Sequence, residues 1–591
     1  MPRIFAQLLN LRGAGFRRIL RGYMSLGPST PSTDTLHLRS ERHRAPLLWL
    51  LIPFATGITA EKMLPVAPPV AALLASALVL ALIALAGVFF TRRHGAALVA
   101  VVAALVLAGA ANYEICRARL ASWDNLPARE VHLTLRINSL TQQNATAAKS
   151  RPSISGLARV VASDDSQLGE LVGQPVYFSL DPPRNRDVAA QVIRTAEIKT
   201  VGMLESLPRN ADADSFEGHL VAAGMNFRFT GGRIYGIANP PGAAASFFER
   251  MRGRISDTLG LGLQDRPRET GIYRAMVLGQ KQEIDSEQTS LFLGSGTMHL
   301  FAISGIHIVV IATGIYFLLL LLRLPRWPRY FAGAAVLWAY VQITGASPSA
   351  VRAFTMVFIL QTALMARLPV NGIATLAFAA LAMLVAGPMQ LFSASFQMSY
   401  GIVAAILLYG LPLGETWNAR WVLFRDVPKA AWTRTQHALS IAHRYFLGVF
   451  AISVSASLVS TFCGVVYFRL VTPGALFANL ILIPAASLVI LSGFLSMICG
   501  LAGLAPLSVI FNHASALVLV VMQKLLALAV KIPGSSRSAH FDPQWLGTAA
   551  LAALLGAMLY GYSQKWRLRR GGFWPPVAVV VIVLAALAHY D

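Results

Sequence analysis

A chain of 591 residues that is 55% hydrophobic and only 13% charged is too apolar for a soluble globular protein, in which about a quarter of residues are charged. Repeated apolar runs of about 18 residues or more read as membrane-spanning helices, so the class is a polytopic membrane protein. The net charge of +23 does not by itself point to nucleic acid, because cytoplasmic loops collect Lys and Arg. Cys116, Cys463 and Cys499 lie in or beside apolar runs, which excludes a disulfide framework and a cysteine metal spacing.

Residues 1–45 are rich in arginine (Arg3, Arg12, Arg17, Arg18, Arg21, Arg39, Arg42, Arg44). They contain no apolar core followed by a small-residue cleavage site, so a signal peptide is not expected. The segment reads as a basic cytoplasmic tail, with Ile4, Leu8 and Leu11 forming an amphipathic stretch. Three spans are expected next, at 46–63, 67–90 and 96–116. Arg92 and Arg93 separate the last two, and the third span would deliver the chain to the outside.

Residues 128–238 change character. Val131-His132-Leu133-Thr134-Leu135-Arg136-Ile137 alternates, as does the stretch around Val176–Leu180. Further strand signals are 156–161, 191–198 and 225–234, with a short helix at 214–224. Period-two patterning between Gly, Pro, Asn and Asp clusters argues a small antiparallel sheet or barrel. A five-stranded barrel of the OB type fits the size. This stretch holds twelve Lys/Arg and eleven Asp/Glu, a near balance without the basic footprint usual for DNA binding.

Residues 243–298 read as amphipathic and linker helices. Phe247, Met251, Ile255 and Leu259 repeat every fourth residue with arginines between them. That helix would lie in the membrane interface or pack on the β domain. Ten spans follow, at 299–322, 328–344, 348–367, 371–388, 391–411, 446–468, 474–499, 506–530, 545–562 and 573–590. The first eight make a membrane domain at 299–530, the last two a C-terminal pair at 545–590. Basic loops after 322, 367 and 411 and before 573 all fall on the cytoplasmic side under strict alternation. The expected fold is a polytopic α-helical membrane protein with a small extracytoplasmic β-barrel (OB-like) insert. It would sit in the inner (plasma) membrane with the N-terminus inside and the C-terminus outside.

Polar residues at membrane depth are costly and usually face a bundle interior or a wet path. His299, Ser304, Gly305 and His307 open the fourth span. Gly345, Ser347, Pro348 and Ser349 break the helix between two spans, and Arg352 enters the next apolar run. Ser393, Ser395, Phe396, Gln397, Ser399 and Tyr400 bring another polar cluster, and Asn479, Pro484 and Ser487 a fourth. Ser304 and His307 are three apart, so a nucleophile–base pair is a geometric option, but no acid in the span orients the imidazole. No nucleotide-binding loop and no zinc motif is present. The expectation is therefore a non-enzyme with no metal and no cofactor.

His299-Leu-Phe-Ala-Ile-Ser-Gly-Ile-His307, Gly345-Ala-Ser-Pro-Ser-Ala-Val-Arg352 and Phe396-Gln-Met-Ser-Tyr400, with Ala275–Ile284 upstream and Tyr467–Gly474 downstream, resemble the ComEC family of competence proteins. The resemblance covers about 128–530. It implies a channel carrying single-stranded DNA into the cytoplasm during natural transformation, with an extracytoplasmic OB domain. It implies as partners single-stranded DNA, membrane lipid, an external DNA receptor, a cytoplasmic ATP-driven translocase and a separate nuclease. Many members carry an acidic residue where this chain has Ser393, and many end in a metallo-β-lactamase-like domain. This sequence has no His-x-His-x-Asp-His cluster. The residues expected to line or shape the path are His299, Ser304, Gly305, His307, Gly345, Ser347, Pro348, Ser349, Arg352, Phe396, Gln397 and Ser399, none with a catalytic role. The alternatives are a transporter of a small polar or lipid-linked solute, which also uses broken helices, and a relative that acts only as a scaffold.

Overall fold

The computed structural model describes residues 47–64, 68–89, 94–118, 127–143, 153–164, 166–208, 212, 214–301, 303–368, 371–566 and 572–590. The expected basic tail at 1–45 lies outside the described residues.

Three helices come first: α1 (Leu48–Met63), α2 (Val70–Phe89) and α3 (His94–Ala118). Helices α1 and α3 cross at very short range. A Cβ at Gly57 would lie 1.9 Å from the Val106 carbonyl oxygen, and one at Gly109 2.1 Å from that of Phe54. Only glycine admits backbones this close, a packing device common between membrane helices.

The β domain follows: β1 (Arg129–Gln143), β2 (Ser153–Ser163), β3 (Pro175–Asp181), α4 (Arg186–Gln191), β4 (Glu197–Ser206), α5 (Phe216–Ala222) and β5 (Phe227–Asn239). The strands close into a barrel in the order β1-β2-β3-β5-β4, with β3 and β5 parallel and every other pair antiparallel. This is the connectivity of an OB-type barrel. The alternation in β1 carries the fold, since Val131, Leu133, Leu135 and Ile137 all point into the core as a half-buried strand requires. One expected strand is misplaced. Residues 186–191 are helical because the Asn185 side chain accepts the Asp187 N–H, a favourable N-cap, and β4 begins only at Glu197.

Two helices, α6 (Ala243–Gly260) and α7 (Pro267–Leu278), pack neither on the barrel nor freely in an interface. They pack on membrane-domain helices and bury Ile255, Leu259, Ile272, Tyr273, Met276 and Val277 in that core. After α8 (Ser286–Gly294), capped by Asp285 and Gln288, come α9 (Gly305–Leu321), α10 (Arg326–Ile343), α11 (Pro348–Met365), α12 (Gly372–Ala386) and α13 (Ala394–Ala405). A single π-helical turn, Ile406–Gly410, joins α13 to α14 (Leu411–Arg420). The remainder is α15 (Arg434–Phe468), β6 (Leu470–Val471), α16 (Ala475–Leu501), α17 (Ala505–Val530), β7 (Arg537–Phe541), α18 (Trp545–Ser563), α19 (Trp574–Leu587) and β8 (Ala588–Tyr590).

Among the described residues, nine helices are long and apolar enough to cross a membrane. The other four expected spans fall on α1, α10, α12 and α19, which are shorter or less apolar. Side-to-side order follows from contacts with the β domain. Arg194 of the barrel donates to Gln342 at the end of α10, 3.0 Å. Asp214 accepts from Gln544, which precedes α18, at 2.7 Å, and from Arg469, which follows α15. Burial alone would raise the Asp214 pKa, but these hydrogen bonds outweigh it and hold the carboxyl below its ordinary value. The contribution to docking is present at neutral pH and is lost as acid protonates the group. Strand β8 pairs with β7, which pairs with β6. The end of α19 therefore lies on the barrel's side. A reporter fused after Tyr590 should register the same side of the membrane as one inserted in the barrel; opposite sides would mean that α18 and α19 do not both cross.

Candidate functional site

Four stretches distant in sequence meet at the barrel-facing ends of α7, α9, α11 and α13. Tyr340 of α10 donates its hydroxyl to the Val277 carbonyl of α7, 2.6 Å. Gly279 ends α7 in the left-handed conformation, φ 75°, where a Cβ would fall 2.9 Å from Ile303 Cδ1 and 3.6 Å from the Thr344 carbonyl. The close approach and the positive φ both require glycine. The segment at 275–284 thus seats the turns that precede α9 and α11.

Each of α9, α11 and α13 starts behind a serine. Ser347 accepts the Ala350 N–H at 3.4 Å, and Pro348 occupies the first turn of α11, where its missing N–H costs nothing. Ser393 accepts the Phe396 N–H at 3.2 Å and donates to the Gln390 carbonyl at 2.8 Å. The hydroxyl caps the start of α13. Ser304 begins α9. Its backbone N–H donates to His307 Nδ1 at 3.2 Å, and its hydroxyl lies 2.8 Å from the same nitrogen. A nitrogen that accepts a backbone N–H cannot carry a proton, so the hydrogen of the neutral ring sits on Nε2. Nε2 has no hydrogen-bond partner. No carboxylate orients the imidazole, and the Ser304–His307 pair ties down a helix start.

Arg352 is the centre of the arrangement. It lies in the second turn of α11 and is 1% exposed. Its Nη2 donates to the Ser395 carbonyl in the first turn of α13, 2.9 Å, and to the Ser395 hydroxyl. Its Nε has no partner, and among the described residues it makes no ion pair. The next residue, Ala353, faces Gly305, the first residue of α9, whose Cβ would lie 4.0 Å away. Arg352 therefore ties the start of α11 to the first turn of α13, while the start of α9 packs on the adjacent Ala353. A helix N-terminus carries roughly half a positive charge and presents unpaired N–H groups. Two of them and an arginine that makes no ion pair among the described residues form a positive focus.

The other expected residues divide by burial. His307 is 0% and Phe396 5% exposed, and Phe396 lies against the Tyr400 ring at 4.5 Å. Ser304, Gly345, Ser347, Ser349, Gln397 and Ser399 are half-buried; Gly305 and Pro348 are exposed. Gln397 spends its amide on the Leu391 carbonyl, 3.1 Å. His299 is exposed. Ser395 and Tyr400, whose buried hydroxyl has no partner, complete the set around Arg352. Their signal was the polar run Ser393-Ala-Ser-Phe-Gln-Met-Ser-Tyr400 inside an apolar stretch. The polar cluster near Asn479 does not join the focus by any hydrogen bond; Asn479 Oδ1 is buried without a partner.

Asn512 is a residue that the search for a lined path did not find. Its Nδ2 donates to the Thr258 and Leu261 carbonyls at 2.8 and 3.0 Å, and its Oδ1 accepts from Ser496 at 2.6 Å and Tyr273 at 3.3 Å. An asparagine inside an apolar run was the available clue. It fastens the α6–α7 pair to α16 and α17.

The family described as Competence protein matches residues 276–567, just under half of the chain. The match begins within α7 and runs to the end of α18, so it covers every residue of the positive focus and leaves the barrel outside. The chain is also similar to ComE operon protein 3 of Bacillus subtilis (strain 168), 28% identical over 142 residues. That match covers 24% of this chain and 18% of the relative, so the chain spans under a fifth of that protein's length. No solved structure matches. The match to the competence family and the nine membrane-length helices among the described residues agree with a multi-pass membrane protein.

Proposed function

We propose that this protein passes single-stranded DNA through the inner membrane during natural transformation. The observation that carries the reading is Arg352, buried near the start of α11 and hydrogen-bonded to the first turn of α13, with the start of α9 packed on the adjacent Ala353. A polyanion crossing a membrane needs donors for its phosphates where water is scarce, and helix N-termini with an arginine supply them. Half-buried Ser347, Ser349 and Ser399 add hydroxyls, and His299 is an exposed residue shortly before α9. The path is lined by His299, Ser304, Gly305, His307, Gly345, Ser347, Pro348, Ser349, Arg352, Phe396, Gln397 and Ser399. The motive force, the nuclease and the external receptor are supplied by other proteins. The burial of Arg352 and His307 supports a second reading, a carrier for a small anionic or lipid-linked solute bound in an occluded pocket.

The test is uptake of labelled DNA in a strain carrying His307→Ala. Loss of the ring frees the Ser304 N–H and the start of α9, and uptake is expected to fall to the level of a deletion strain while membrane abundance is kept. Unchanged uptake would remove the role. Current through the purified protein in a planar bilayer separates the two readings: a channel passes ions and is blocked by an oligonucleotide, and a carrier shows neither.

A further inference from the structure

The contact between α1 and α3 holds a second polar site, outside the residues matched to the competence family. The glycine crossing sets the register: Gly57 meets Val106–Ala110 and Gly109 meets Phe54–Ile58. One turn beyond Gly57 is Glu61, and about one turn beyond Gly109 is Glu114. Two parallel helices in this register place both carboxyl groups at one level, near the barrel-facing ends. Glu61 is 1% exposed and Glu114 9%. Glu61 Oε1 and Glu114 Oε2 are buried without any hydrogen-bond donor. The cation near them is Arg117, whose Nη1 stands 3.9 Å from Glu114 Oε2, and both Glu114 and Arg117 lie within electrostatic reach of Glu61.

Among the described residues, α3 presents two further titratable groups here, Cys116 and Tyr113, whose ring packs on Phe392 at 6.3 Å. Lys62 turns away, its ammonium 3.9 Å from the centre of the same Phe392 ring. Helix α12, which also packs on α1, and residues 388–392 carry no titratable side chain. With both glutamates ionised, two negative charges would face one positive charge in a place without donors. Adjacent like charges removed from water do not both ionise.

We propose that Glu61 and Glu114 form a proton-binding site, in which one proton is held between the two carboxyl groups and the remaining charge is balanced by Arg117. The protonated carboxyl becomes the donor that each orphaned oxygen lacks. The site is not isolated from the rest of the protein. Phe54, Ile58 and Tyr113 share a core cluster with Phe396 and Tyr400, so release of the proton places a new charge one packing layer from the first turn of α13.

Infrared difference spectra of the purified full chain, recorded against pH and in deuterated buffer, test the assignment without DNA. The wild type should show one buried protonated carboxyl band at neutral pH. Glu61→Gln should abolish it, leaving Glu114 ionised against Arg117. Glu114→Gln should abolish it as well, because Glu61 then keeps Arg117 within electrostatic reach and no longer faces a second carboxylate. Both changes are nearly isosteric, and a melting curve reports whether each variant is folded. Absence of the band in wild type, or its persistence in Glu61→Gln, overturns the proposal. A band that emerges only when sodium is removed would also overturn it, assigning the site to a metal cation.

Discussion

Arg352→Met should abolish DNA uptake while leaving the protein folded and in the membrane. Methionine fills most of the arginine's volume, so the 1% exposed site does not collapse. The hydrogen bonds to Ser395 are lost, at about 1.5–3 kcal/mol for bonds to a charged group. That loss is offset because a charge no longer has to be buried. Stability should therefore change little, and the positive focus loses its one full charge. Arg352→Ala adds a cavity cost of about 2–4 kcal/mol on the scale of large core truncations, so its uptake defect is less diagnostic. The comparison is made by thermal unfolding and labelled-DNA uptake on the same variants. Wild-type uptake by Arg352→Met at normal abundance would show that α11 and α13 need no cation between them for transport.

Asn512→Leu should act in the opposite way, by destabilising the fold far from Arg352. It strips the donors from the Thr258 and Leu261 carbonyls and the acceptor from the Ser496 and Tyr273 hydroxyls. Unsatisfied buried groups cost about 1–3 kcal/mol each, reduced between membrane helices because the unfolded state also finds partners. A net loss of about 3 kcal/mol is expected, concentrated in the attachment of α6 and α7. Hydrogen exchange should show lost protection over 255–278, with the barrel unchanged. Uniform loss across the chain, or none, would mean that the apolar contacts of Ile255, Leu259 and Tyr273 hold the pair unaided.

The barrel was legible because a closed sheet writes itself as alternation, and β1 alternates without interruption. The strand expected at 191–198 failed because a single cap, Asn185 to the Asp187 N–H, decided the backbone just upstream. Helix α7 reads as polar by composition, yet eight of its twelve residues are buried. Its partners are remote in sequence, as with Tyr273 and Asn512, 239 residues apart, and local patterning holds no record of such contacts. The site was legible as a set of misplaced polar residues. Their arrangement was not, since the starts of α11 and α13 meet at Arg352 only through the chain's path. The sequence suggested that these side chains share one environment. The structure divides them into a buried group around Arg352 and His307 and a half-buried rim.

The π-helical turn at Ile406–Gly410 has a consequence for the far half of its helix. A wide turn accommodates one surplus residue, and each residue of an α-helix advances the azimuth by about 100°. Every side chain after Gly410 is therefore rotated relative to an unbroken continuation of α13. That rotation brings Gly414 to within 3.4 Å of Ala451, measured from an added Cβ, and buries Leu413. Were the surplus residue absorbed, α14 would swing this small-residue seam away from α15 and present a different stripe to it, with the caps behind Ser393 left undisturbed.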